Sequence, residues 1–81
     1  MKKIGIIGAG SWGTALAYLL ANNGHLVTVW SALENEIFEL KKYHENKDKL
    51  PGVKLPYNIS FSIDIKESVE NKDYVIIYLR W

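Results

Sequence analysis

Apolar and polar positions change period in a regular order along this chain. Lys3 to Ile7, apolar at successive positions from Ile4 onward, has the pattern of a strand buried on both faces of a parallel sheet. A helical pattern follows from about Ser11 to Asn23. Gly13, Ala17 and Leu20 form its small-residue face, Leu16 and Leu19 broaden the stripe, and Gly24 supplies a left-handed C-cap. Leu26 to Trp30 predicts a second strand, parallel to the first because a whole helix separates them. Leu33 to His44 predicts an amphipathic helix with Leu33, Ile37, Leu40 and His44 along one side. A polar, Lys-rich loop from Asn46 to Pro56 is punctuated by Pro51-Gly52 and Pro56. Ile59, Phe61 and Ile63 alternate with Ser60 and Ser62, predicting a half-buried third strand near a sheet edge. Asp64 and Glu67 resemble a capping box that opens a short helix from Ile65 to Asn71, whose apolar face is Ile65 and Val69. Tyr74 to Leu79 predicts the fourth strand.

Strands alternating with helices imply an α/β fold: an open parallel sheet built as βαβαβαβ, with right-handed crossovers giving the spatial order 3-2-1-4. This is about half of a full dinucleotide-binding fold. The first two helices should cover one sheet face and the short third helix the other. In the fourth strand, Val75, Ile77 and Leu79 read as the core-packed face. Tyr74 and Tyr78, with Ile76 between them, read as the thinly covered one. The outer edge of that strand would be unpaired. Antiparallel pairing of two such edges, Tyr74 to Leu79, would close it in a homodimer with one eight-stranded sheet.

The segment joining the first strand to the first helix carries the chemistry. Gly8, Gly10 and Gly13 form G-x-G-x-x-G directly after a strand and at the opening of a helix, the context that makes this fingerprint credible for a dinucleotide. Gly8 permits the tight turn, Gly10 lets backbone approach a pyrophosphate, and Gly13 lets helix and strand pack closely. The unpartnered amides at the helix start face the anion, so two phosphates can be held without Lys or Arg. The bland alternative is a glycine-rich structural turn.

Composition narrows the remaining classes. The 81 residues suit one domain, for which folding buries only roughly 60% of the unfolded surface. Ten Lys plus Arg against nine Asp plus Glu leave a formal charge of +1. That balance offers no basic field for nucleic acid. Without cysteine there is neither a disulfide nor a thiolate metal site. The longest apolar runs fall short of the roughly 20 residues a membrane span needs, and the N-terminal stretch does not read as a signal peptide. The expectation is a cytoplasmic chain with no membrane and no nucleic-acid partner. His25, just past a helix C-cap, reads as structural or solvated. His44 reads as solvent-exposed, with no second imidazole or paired carboxylate arranged for a metal. The clusters Lys41-Lys42 and Lys47-Asp48-Lys49 read as solvated faces.

Gly8-Ala9-Gly10-Ser11-Trp12-Gly13-Thr14-Ala15-Leu16-Ala17, Asn23-Gly24-His25, Val27-Thr28-Val29-Trp30 and Leu50-Pro51-Gly52-Val53-Lys54-Leu55-Pro56 closely resemble the N-terminal part of bacterial NAD(P)-dependent glycerol-3-phosphate dehydrogenase, over residues 1 to about 77. Members of that family reduce dihydroxyacetone phosphate to glycerol 3-phosphate for phospholipid synthesis. The resemblance implies a cofactor role for Gly8, Gly10, Ser11, Trp12 and Gly13. Trp12 would be a pocket wall beside the cofactor, or simply a cover over the sheet end. The family's Pro-Ser loop and helical substrate domain, with its catalytic lysine, have no counterpart in these residues, so no catalytic residue is assigned. The chain reads as a single partial domain holding at best the adenosine-pyrophosphate half of the site.

Cofactor choice is read at the end of the second strand, where an Asp or Glu ordinarily accepts from the ribose 2′-hydroxyl of NAD. Trp30 and Ser31 stand there. No carboxylate is evident to repel a 2′-phosphate, and Ser31 could donate to one. Yet the Arg or His that family members often place next is replaced by Ala32 and Leu33, which leaves NAD and NADP both open. Three functions compete: a half-Rossmann module binding NAD(P) or ADP weakly, a self-associating structural fragment that binds nothing measurable, and an enzyme completed by another chain.

Overall fold

The computed structural model describes residues 1–78. Its elements follow the order β1 (Lys3–Ile7), α1 (Ser11–Asn22), β2 (Leu26–Trp30), α2 (Glu34–Tyr43), β3 (Ile59–Ser62), α3 (Ile65–Val69) and β4 (Tyr74–Ile77). The four strands form one parallel sheet in the order β3-β2-β1-β4, as the alternation predicts. Leu79, assigned by sequence to the fourth strand, lies outside the described residues.

Register explains the core. Ile4, Val27 and Ile59 align across three strands, and Ile6, Val29 and Phe61 form the next row, which Ile76 extends into β4. These two rows face α1 and α2, which close over them with Ala17, Ala21, Ile37 and Leu40; Leu55 from the long loop completes the cluster. The opposite face carries Gly5, Thr28, Ser60 and Val75, and among the described helices α3 packs on it. Two helices on one face and one short helix on the other is the expected division.

Helix α1 ends as its glycine requires. Gly24, with φ 90°, donates to the Ala21 carbonyl, and the His25 amide reaches the Leu20 carbonyl, the paired bonds of a Schellman motif. Helix α3 opens on Asp64, whose carboxylate accepts from the Lys66 and Glu67 amides. The reciprocal half of the capping box is replaced, because the Asp64 amide donates to Ser62 Oγ at 2.9 Å.

Several side chains depart from the sequence pattern. Leu19 and Leu33 are exposed, because α1 meets the sheet through Gly13, Thr14, Ala17 and Ala21, and Leu33 sits before the first turn of α2 as its N-cap. Ser62 is buried and Ile63, one residue past β3, is exposed. In α3 the residue against the sheet is Ser68, fully buried, while Ile65 and Val69 point outward. A Cβ at Gly5 would run into the Ser68 carbonyl, so α3 lies too close to β1 for any larger face. In β4 the assignment of faces is reversed. Ile76 packs with the core on the α1 side, whereas Val75 and Ile77, expected in the core, are exposed on the thinly covered face. Tyr74 and Tyr78 therefore belong to the better covered side.

Candidate functional site

The three loop glycines have separable reasons. Gly8 turns the chain out of β1 at φ 128°, a conformation L side chains rarely adopt, and a Cβ there would stand 2.7 Å from the Tyr78 carbonyl oxygen. A Cβ on Gly13 would collide with the Gly8 carbonyl, so this glycine sets how closely α1 packs on the strand end. Gly10 is different. It is the N-cap of α1 in ordinary extended backbone, φ −71° and ψ −173°, and among the described residues nothing lies within 4 Å of the Cβ it lacks. The fold needs no glycine there, but a ligand approaching the backbone would.

The start of α1 is correspondingly bare. The first helical bond runs from the Thr14 amide to the Gly10 carbonyl at 2.9 Å, and among the described residues no side chain caps this end. The amides of Ser11, Trp12 and Gly13 thus have no acceptor among the described residues. They point out of the N-terminal end of a twelve-residue helix whose first turn holds no carboxylate. Open space over Gly10 beside unpartnered amides and the positive end of a helix dipole is a fit to a pyrophosphate.

What holds the loop is a side chain from a remote segment. Asn46, buried in the polar loop after α2, donates from Nδ2 to the Ala9 carbonyl and to Thr14 Oγ1, both at 3.0 Å. Thr14 Oγ1 itself donates to the Ala9 carbonyl at 3.3 Å. Asn46 Oδ1 accepts from the Lys49 amide, which fixes the amide's orientation. Sequence reading missed Asn46 because nothing in a polar, proline-punctuated loop distinguishes a buried asparagine from a solvated one. At the other border, the Trp12 ring stacks on Tyr78, with centroids 5.1 Å apart and planes 26° apart, while half of Trp12 stays exposed. Tyr78, one residue past β4, thus brings the end of the chain's last strand against Trp12 at the start of α1.

Ser31 is buried just beyond β2, and its amide donates to the Ser62 carbonyl. The expectation of a free hydroxyl with no carboxylate nearby is corrected here. Ser31 Oγ donates to Glu36 Oε1 at 2.6 Å and accepts from the Leu33 amide at 3.1 Å, because the tight entry into α2 folds its first turn back over the strand end. Glu36 also lines a cleft of about 240 Å³ between α2 and residues 45–49, together with Leu40, Asn46 and Lys49.

Neither histidine joins this site. His25 accepts from the Lys2 amide through Nδ1 at the opposite end of the sheet, a structural role. His44, expected to be solvated, is half-buried. It caps α2 in the left-handed region at φ 51°, with its ring edge-on to Tyr57 and tilted against Phe61. Its Nδ1 is buried with no partner among the described residues, and burial first, then the Lys54 ammonium, hold its pKa below the ordinary 6.5. Among the described residues no group of three or more His, Cys, Asp or Glu is placed to hold a metal.

Comparison with known proteins agrees with this geometry. The family model described as the NAD-dependent glycerol-3-phosphate dehydrogenase N-terminus matches residues 3–79. The glycerol-3-phosphate dehydrogenase of Agathobacter rectalis is 58% identical over 77 residues, 95% of this chain and 23% of that relative. The Bacillus subtilis enzyme is 48% identical over 77 residues, covering 95% of this chain and 22% of the relative. The crystal structure of the Coxiella burnetii glycerol-3-phosphate dehydrogenase superposes with a TM-score of 0.89 at 37% identity, over 94% of this chain and 23% of that one. The chain therefore spans less than a quarter of the length of these relatives. By sequence, strand order and glycine loop, it belongs to the family of the NAD-binding N-terminal part of glycerol-3-phosphate dehydrogenase.

Proposed function

We propose that this chain binds the adenosine-pyrophosphate half of NAD(P), with the pyrophosphate on the amides of Ser11, Trp12 and Gly13 and over Gly10. Gly8 and Gly13 give the loop its shape, Trp12 walls it, and Ser31 stands where the adenosine ribose arrives. The observation that carries this reading is that no described residue comes within 4 Å of where a Cβ at Gly10 would lie, a position where the fold would accept a side chain. In a protein of the relatives' length, these residues would present the dinucleotide for reduction of dihydroxyacetone phosphate to glycerol 3-phosphate. The groups that bind substrate and move the proton would come from elsewhere, since the loop offers only backbone amides. A single partial domain and a cytoplasmic location belong to the same proposal and rest on the kinship with dehydrogenases. Nucleic acid and membrane have no place in it, because ten basic against nine acidic residues leave no broad field to attract either.

The edge of β4 supports a second element, a homodimer formed by antiparallel pairing from Tyr74 onward. β4 is the last strand of the sheet, and it exposes Tyr74, Val75 and Ile77. Calorimetric titration with NADH and ADP, with light scattering in the same buffer, tests both. Saturable binding near one site per chain and twice the monomer mass are expected. Absence of heat at millimolar ligand would contradict the binding reading, and a monomer mass the dimer.

A further inference from the structure

Resting on the dinucleotide reading, we infer that Glu36 makes this chain select NAD(H), whose adenosine ribose has a free 2′-hydroxyl, over the 2′-phosphorylated NADP(H). The end of the second strand is where dinucleotide folds place the carboxylate that accepts from that hydroxyl. β2 ends in Trp30 and Ser31, neither of them acidic, and the structure supplies the carboxylate from the neighbouring helix. Glu36 Oε1 lies 2.6 Å from Ser31 Oγ, so the negative charge sits at the strand end although the residue lies five positions further along the chain.

Hydrogen-bond direction decides what Ser31 can do. A hydroxyl has one proton, and here it goes to Glu36, while the oxygen accepts from the Leu33 amide. Ser31 therefore has nothing to donate to a phosphate, whereas Glu36 Oε2 is an acceptor for a ribose hydroxyl. Charge points the same way. Among the described residues Glu36 has no ion-pair partner within 4.0 Å, and its cleft is lined by three more carboxylates, Glu39, Glu45 and Asp48, against Lys47 and Lys49. Lys47 is engaged elsewhere, with its ammonium 3.6 Å from the Tyr43 ring centroid. A 2′-phosphate would bring about two further negative charges into a cleft already acidic.

The competing role for Glu36 is structural, as part of the cap that Ser31 forms at the start of α2. Glu36→Gln separates the two, since its side-chain oxygen can still accept from Ser31 while the charge is gone. The experiment is calorimetric titration of the wild-type chain and E36Q with NADH, NADPH, ADP and 2′-phospho-ADP, with thermal unfolding of both proteins alongside. The wild type should bind NADH and ADP at least about tenfold more tightly than their 2′-phosphorylated counterparts. E36Q should narrow that gap severalfold, chiefly by tighter binding of the phosphorylated pair, with its unfolding midpoint little changed. Equal affinities, or preference for NADPH, in the wild type would overturn the selectivity and leave dinucleotide binding standing. A gap unchanged in folded E36Q would overturn the role of Glu36. Failure of all four nucleotides to bind the wild type would overturn the dinucleotide reading, and this inference with it.

Discussion

The side-chain amide of Asn46 ties the Ala9 carbonyl to the Thr14 hydroxyl, 3.0 Å from each, across sequence separations of 37 and 32 residues. This one side chain couples the loop after α2 to the turn between β1 and α1. Asn46→Ala leaves the Ala9 carbonyl, among the described residues, with only the longer Thr14 bond inside a buried site. A loss of about 1–3 kcal/mol is expected for a buried polar partner removed. Chemical denaturation should show that loss, with nucleotide affinity falling in the same variant because the loop's shape is no longer enforced. Stability and affinity equal to wild type would remove Asn46 from the account.

Gly5 is a packing glycine without ligand duty. Its missing Cβ is where the Ser68 carbonyl approaches β1, and that backbone atom cannot swing aside as a side chain could. Gly5→Ala should destabilise by about 1–3 kcal/mol through overpacking. Thermal unfolding checks it, and an unchanged midpoint would mean α3 is free to lift from the sheet.

His44 gives the fold an acid sensitivity. Its folded pKa lies below the ordinary 6.5, so between those two values the unfolded chain binds more protons than the folded one. The stabilisation is full above about pH 6.5 and is lost as pH falls toward the folded value. Unfolding midpoints should drop between pH 7.5 and pH 5.5. His44→Asn, which tolerates the left-handed backbone, should flatten that slope even if it lowers stability throughout. An equal slope in the variant would assign the acid effect to other groups.

Ile77 is 63% exposed on the outermost strand, so Ile77→Lys costs the folded monomer little. If the β4 edge pairs two copies, the variant should scatter light as a monomer with an unchanged far-ultraviolet spectrum. A dimer persisting in the variant would place the contact elsewhere.

The strand order and the glycine loop were legible because each rests on local signals: a both-faces-apolar strand, a 3.6-residue period, and three glycines at fixed spacing. What escaped depends on distance. Ser68 looks like a solvent position in a five-residue helix, and only the depth at which α3 sits over Gly5 makes it core. Glu36 reads as one more charge on an amphipathic helix until the turn at Ala32 folds it onto Ser31. The faces of β4 were inverted because both are apolar, and only the register Ile6 with Ile76 decides which one α1 covers. His44 has no sequence mark that places Tyr57 and Phe61 around it.

The sharpest measurement of pyrophosphate binding is made at Gly10. Gly10→Val puts a branched side chain into the space where the pyrophosphate is proposed to lie, at a backbone conformation with ordinary φ and, among the described residues, no neighbour within 4 Å of the new Cβ. NADH titration of wild type and variant, each checked by thermal unfolding, should show saturable binding in the first and none in the second, at similar unfolding midpoints. Equal affinity in the two proteins would contradict the account and leave the glycine loop as architecture alone.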